Sequence, residues 1–244
     1  MTTFALLHGT WGVPQQWADV VGYLMFHGDR GIAVDQPIGA PDASLMACAE
    51  QVARALEGTR GRVVLVSHSS SGYVATLVPA LRPVDQIIFV SALVPRPGLP
   101  AVVRRPGSAL AQGSGDLELS PPAFRALLEE QPDGTTTINI DGLLPFVTED
   151  PDDPTARRLR ELLRPTATRL FEEPWPLGEF PAVPMSYVVC GRDGVLPAAS
   201  QRILAARAKA QIYELPDADH AVALKEAPRL AGLLTEIAAK TPRR

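Results

Sequence analysis

The chain is poor in cysteine, with two among 244 residues, Cys48 and Cys190. Two distant thiols make neither a disulfide framework nor a paired metal-ligand spacing, and such usage fits a reduced compartment. Positive charge is scarce as well. Lysine and arginine number 23 against 27 aspartates and glutamates, a formal net charge of −4, so no nucleic-acid partner is expected. No apolar run approaches the roughly 18 residues that a membrane-spanning helix needs. The apolar start, residues 1–8, has neither the basic residues nor the cleavage site of a signal peptide. The expectation is a cytoplasmic protein without a membrane partner. Histidine occurs only four times, at His8, His27, His68 and His220, so few groups can exchange a proton near neutral pH.

Apolar residues make up 46% and charged residues 20%, an ordinary globular balance at a length that suits one α/β domain. Short apolar runs end in turn residues at 4–7, 31–34, 63–66, 86–90, 186–189 and 211–215. Runs of this size, apolar on both faces, suit a parallel sheet covered by helices. Helical patterns separate them, over 14–26, 43–56, 70–81, 198–208 and 226–239. The alternation predicts a doubly wound α/β fold. Between Pro95 and Pro184 it stops. That stretch shows weak helices at 121–130 and 154–163, a polar Thr135-Thr136-Thr137 patch and no convincing strand. An insertion between two parallel strands generally covers the edge where ligands bind. A cap over 96–184 is therefore expected, on a core made of 1–95 and 185–244, a single domain overall.

Chemistry gathers at three strand ends. The third run leads into Ser67-His68-Ser69-Ser70-Ser71-Gly72, the fifth into Cys190-Gly191-Arg192-Asp193-Gly194, and the sixth into Asp217-Ala218-Asp219-His220. In a parallel sheet these ends share one edge. A serine hydroxyl is a poor nucleophile until a base takes its proton, and a carboxylate on the far side of a histidine fixes the tautomer of that base. The order serine, acid, histidine is the one associated with a nucleophile on a strand-turn-helix elbow. His220, on a loop, is the histidine free to reach over the site; His8 and His68 are tied to their own strand ends.

These residues resemble the α/β-hydrolase superfamily, and within it the small esterase and hydroxynitrile-lyase-like group. Leu6-Leu7-His8-Gly9-Thr10-Trp11 resembles that group's oxyanion loop, Val34-Asp35-Gln36-Pro37 its Asp-x-Pro strand end, and 63–72 its elbow. Phe89 to Pro95 resembles the strand leading into its cap. The resemblance implies an α/β-hydrolase fold with a mostly parallel six-stranded sheet, helices on both faces and a cap insertion. It implies a catalytic triad of Ser69, Asp193 and His220, an oxyanion hole from the backbone N–H groups of Thr10 and Ser70, and no cofactor or metal. The Thr10 hydroxyl would add a further hydrogen bond, as in hydroxynitrile lyases. An alignment centred on Ser70 leaves His68 two residues before the nucleophile, where the family has it directly before.

The family elbow reads Gly-x-Ser-x-Gly, whereas Ser67 and Ser71 stand at the glycine positions here. Small residues are wanted there because strand and helix pack closely around a strained turn. Trp11, His68, Phe124, Phe146 and Trp175 are candidate substrate-binding residues, with Phe171 beside them. Glu149-Asp150-Pro151-Asp152-Asp153 reads as a solvated acidic loop. The function expected is a cofactor-independent serine hydrolase cleaving a small or medium, largely uncharged carboxylic ester through an acyl-enzyme on Ser69. The alternative is a lyase or cyclase using the same triad for proton transfer. Hydroxynitrile lyases place a lysine in the cap, and 96–184 contains none, which counts against cyanohydrin cleavage. The partner expected is a small-molecule substrate, with the chain a monomer or homodimer.

Overall fold

The computed structural model describes residues 1–148 and 153–242. Six parallel strands form the central sheet: Thr2–Leu7, Arg30–Val34, Arg62–Ser69, Gln86–Ala92, Met185–Cys190 and Gln211–Leu215. In space they run sixth, fifth, fourth, third, first, second, so the third strand, which carries the serine-rich turn, lies inside the sheet.

Alternation along each strand explains why the runs are apolar throughout. Successive side chains point to opposite faces, and both faces are covered. Ala5, Leu7, Val63, Leu65, Ile87 and Phe89 face one apolar layer, shared with Cys48, Val52 and Leu204 of the helices Leu45–Ala55 and Ala198–Arg207. Phe4, Leu6, Val64, Val66, Ile88 and Val90 face the other, filled by Val20 and Leu24 of Ala18–Phe26 and by Leu230, Leu234 and Ile237 of Ala227–Lys240. The edge strands depart from this rule. In Gln211–Leu215 only Leu215 is buried, as it is an outer strand of the sheet.

Two helical expectations are corrected. The pattern over 70–81 gives one turn of α-helix, Gly72–Ala75, then a 3-10 turn, Val78–Ala80. Pro79 has no N–H to continue the ladder, and Thr76 Oγ1 bonds back to the carbonyls of Gly72 and Tyr73, both at 3.0 Å. The pattern over 121–130 gives only Pro122–Arg125, and the chain then turns into a strand, Leu128–Glu130.

That strand belongs to an antiparallel sheet that the sequence reading does not contain: Leu128–Glu130, Thr135–Ile138 and Thr166–Ala167. The threonine patch lies in it. Thr135 and Thr136 are buried, and their hydroxyls are bonded to Asp133 Oδ1 and Thr168 Oγ1, both at 2.7 Å. A second short ladder pairs Val102–Val103 with Ser114–Gly115. A buried carboxylate ties this segment to the core. Asp116 receives the Tyr73 hydroxyl at 2.6 Å and the Arg207 guanidinium at 3.0 Å, and Arg207 also bonds the Val94 carbonyl at 2.6 Å. Of the acidic loop, 149–152 lie outside the described residues; Asp153 caps Pro154–Leu162 through the Thr155 N–H at 2.6 Å. Among the described residues no helix is long and apolar enough to cross a membrane.

Candidate active site

The serine-rich turn is a sharp elbow. Ser69 ends its strand at φ +55°, in the left-handed region that side chains seldom enter, and the pairing register with the fourth strand slips between His68 and Ser69. Such a conformation costs on the order of 1–3 kcal/mol and persists only where neighbours hold it. Several do. The Leu93 N–H donates to the Ser69 carbonyl at 2.8 Å and the Ser71 N–H to the His68 carbonyl at 3.2 Å. Ser71 Oγ accepts from the His68 N–H at 2.9 Å and lies within hydrogen-bond reach of the Leu7 and His68 carbonyls, at 3.0 and 2.8 Å. The serine at the second glycine position thus laces the elbow to the first strand.

Close packing extends one residue past the second glycine position. A Cβ on Gly72 would lie 1.9 Å from the Leu93 carbonyl oxygen, and one on Gly9 would lie 2.6 Å from Ser69 Cβ. Ser67, at the first glycine position, is buried, and its Oγ has no hydrogen-bond partner among the described residues. An unpaired buried hydroxyl costs about 1–3 kcal/mol. Ser67→Ala is therefore expected to stabilise the protein by about 1 kcal/mol, read as a higher urea midpoint. A lower midpoint would mean that the hydroxyl is paired.

Asp193 and His220 meet over this elbow. His220 Nδ1 lies 2.7 Å from Asp193 Oδ2, which also accepts from the Ser91 hydroxyl at 2.5 Å. The other oxygen, Oδ1, accepts from the N–H groups of Val195 at 2.8 Å and Leu196 at 2.7 Å. Burial pushes the Asp193 carboxyl up, but His220 and these donors outweigh it and hold it below the ordinary carboxylate range. The nearer aspartates are engaged elsewhere. Asp219 caps the Ala221 N–H at 2.8 Å and pairs with Lys225 at 2.6 Å, and Asp217 pairs with Arg192 at 3.1 Å.

His68 braces the histidine loop. Its Nε2 lies 3.0 Å from the His220 carbonyl oxygen, with the two rings 4.5 Å apart. Burial, and then the neighbouring His220, press its pKa down to about 3, so it stays neutral. Ser69 and His220 line the same cavity without a hydrogen bond between them, a contact that commonly closes only around substrate.

The sequence matches the model of the alpha/beta hydrolase family over residues 4–232. The chain belongs to the alpha/beta hydrolase family. No curated protein sequence matches it significantly. Among solved structures it is similar to a pyrethroid hydrolase from Sphingobium faniae JZ-2, at TM-score 0.78 and 22% identity over 98% of each chain. An extracellular alpha/beta-hydrolase from a Paenibacillus species matches at TM-score 0.80 and 17% identity, over 97% of this chain and 98% of that one. A methylesterase from Arabidopsis matches at 0.75 and 18%, over 98% and 99%. At such identities the likeness is one of fold.

In this alpha/beta hydrolase the cavity beside Ser69 is walled by Thr10, Trp11, His68 and Phe124, together with Trp17, Ile138, Leu143, Leu159 and Leu163. Two of the expected binding residues are not on that wall. Phe146 stands behind Phe124, edge-on at 5.8 Å between ring centroids. Trp175 is fully buried away from the cavity, stacked at a tilt on Phe180 and donating its indole N–H to the Tyr73 carbonyl at 3.2 Å. Its size drives it into the junction between segment and core. A second apolar hollow also borders Ser69, lined by Ala101, Val102, Leu117, Phe171 and Leu196. Thr10, Ser69 and His220 belong to both.

Trp11 is anchored at three points by the threonine sheet and its neighbour Arg164. Its N–H donates to Thr166 Oγ1 at 2.7 Å, its indole N–H to the Thr136 carbonyl at 2.8 Å, and its carbonyl accepts from the Arg164 N–H at 2.9 Å. Trp11 itself has φ +59°. The loop carrying Thr10 is thus gripped by the segment that follows the fourth strand. Thr10 departs from the expected oxyanion arrangement, because its N–H donates to the Ser70 side chain at 2.8 Å.

Sequence reasoning missed the supports. Ser91, at φ +41°, bonds Asp193. Gln201 holds both polar atoms of the Cys190 backbone, at 2.9 and 3.0 Å, just before the acid loop. A lone polar residue inside an apolar run was the available signal for Ser91; Gln201 sits on a helix and gave none.

Proposed function

We propose that this alpha/beta hydrolase is a cofactor-independent serine esterase, with Ser69 as nucleophile, His220 as base and Asp193 as its orienting acid. The observation that carries the reading is the Asp193–His220 pair beside a serine raised on a strained elbow. Ser69 Oγ would bond to the ester carbonyl carbon while its proton passes to His220 Nε2. Collapse of the tetrahedral species would break the bond to the alcohol oxygen, which takes that proton. Water, giving its proton to His220, would then release the acid and restore the Ser69 hydroxyl.

The substrate follows from the walls. Among the described residues neither hollow is lined by aspartate, glutamate, lysine or arginine, and the two meet at Ser69. This supports an uncharged ester with an apolar group on each side of the carboxyl function, held under a cap formed by 96–184. The folds of a methylesterase and a pyrethroid hydrolase are consistent with it. The test treats the protein with a fluorophosphonate, maps the adduct by tandem mass spectrometry, and compares neutral with carboxylate-bearing nitrophenyl esters. One adduct on Ser69 is expected, with kcat/KM about 100-fold lower for the charged esters, since a charge would enter an apolar site unpaired. A folded protein that neither forms the adduct nor releases nitrophenol would overturn the reading.

A further inference from the structure

We infer that the side-chain hydroxyl of Ser70 is itself an oxyanion donor, relaying the Thr10 N–H to the substrate. This rests on the esterase reading of Ser69. The residue after the nucleophile is expected to contribute its backbone N–H alone, with the loop residue Thr10 supplying the second donor. Here the Thr10 N–H points at Ser70 Oγ, 2.8 Å away. The amide therefore reaches any developing charge only through that hydroxyl.

Ser70 Oγ accepts this bond and makes no other among the described residues, so its own proton is uncommitted. A hydroxyl has one donor and two acceptor positions, and accepting from an amide polarises the O–H and strengthens its donation. Ser70 is also well placed. It follows the elbow residue directly and lines the same hollow as Thr10, Ser69 and His220. Among the described residues its backbone N–H makes no hydrogen bond outside the regular elements. One residue then offers two donors to one oxyanion, its N–H and its O–H. A chain of hydrogen bonds runs from Thr10 N–H through Ser70 Oγ to the substrate oxygen. No bond to hydrogen is broken along it; the proton on Ser70 stays on Ser70.

The opposite reading of the same contact is a plug, in which Ser70 blocks the Thr10 N–H and must rotate away before reaction. The two readings diverge at Ser70→Ala. A relay predicts a kcat lower by about 100-fold, the scale of one lost oxyanion donor, with KM little changed. It also predicts a similar weakening of a trifluoromethyl ketone, which forms a tetrahedral oxyanion on the nucleophile, and no weakening of the matching methyl ketone binding unreacted. Ser70→Thr keeps the hydroxyl and should retain most of the activity. Should Ser70→Ala fail to fold, Ser70→Cys carries the same prediction with a smaller loss, because a thiol is a weaker donor. A Ser70→Ala or Ser70→Cys enzyme as fast as the parent, or faster, overturns the relay. Fluorophosphonate labelling of the parent protein separates the failures. If Ser69 labels and the Ser70 variants are unimpaired, only the relay falls; if Ser69 does not label, the esterase reading falls with it.

Discussion

Ser69→Ala is expected to lower kcat by about 10⁶-fold, the scale on which a serine and its histidine act as one unit, and to abolish the fluorophosphonate adduct. Stability should change by less than about 1 kcal/mol, because the elbow is held by groups that the substitution leaves in place. The Leu93 N–H would still meet the carbonyl of residue 69, and Ser71 Oγ would still lace the turn to Leu7. Alanine bears the same φ +55° strain as serine, so neither state gains from the change. Ester turnover and a urea titration, measured on one preparation, separate lost chemistry from lost fold. Residual turnover above about one part in 10⁴ of the parent would move the nucleophile to Ser70 or to water, since binding and oxyanion stabilisation alone leave only about one part in 10⁶.

The core was legible because its signals are short-range. Six apolar runs bounded by turn residues became six strands, and the four inner ones are apolar along their length because both faces are covered. Chain order then fixed where the serine, acid and histidine emerge, because all carboxyl ends of a parallel sheet share one edge. The threonine sheet was not legible. Its strands of two to four residues owe their burial to partners distant in sequence, as with Thr136 and Thr168, and threonine reads as polar when taken alone. Trp175 and Phe146 lie off the cavity wall for a related reason. An aromatic ring in an insertion fills either the cavity or the joint, and composition carries no direction. At the elbow Ser67 and Ser71 keep small, buried side chains at the glycine positions, and Gly72 adds a tight approach to the Leu93 carbonyl just past the fourth strand.

The loop carrying Thr10 and Trp11 is tied to the threonine sheet. Trp11 follows Thr10 directly and is held by Thr136, Arg164 and Thr166, so a displacement of the threonine sheet would act on the residue beside the candidate oxyanion site. Arg164 extends this grip to the second strand through Asp35 at 2.7 Å and the Gln36 carbonyl at 2.8 Å. Substrate specificity and transition-state stabilisation would then share a support, since the stretch that supplies Ile138, Leu159 and Leu163 to the cavity wall also holds the loop through Thr136, Arg164 and Thr166.

Asp193→Asn should lower kcat by about 10⁴-fold while KM and fold change little. Asp193 accepts four hydrogen bonds, two on each oxygen. An asparagine has a single acceptor oxygen, and the Val195 and Leu196 N–H groups, fixed in the backbone, would claim it. Its NH₂ then turns toward His220 Nδ1 and Ser91. A donor in that place forces Nδ1 to accept, so the His220 proton moves to Nε2, the atom that must receive the Ser69 proton. The base is present in the wrong tautomer. Ser91 can reverse its hydroxyl and accept from the new NH₂, which keeps the loop paired and spares stability. A kcat within about tenfold of the parent would remove Asp193 from the mechanism and turn attention to Asp219, whose release from Lys225 and the Ala221 N–H would then have to accompany catalysis.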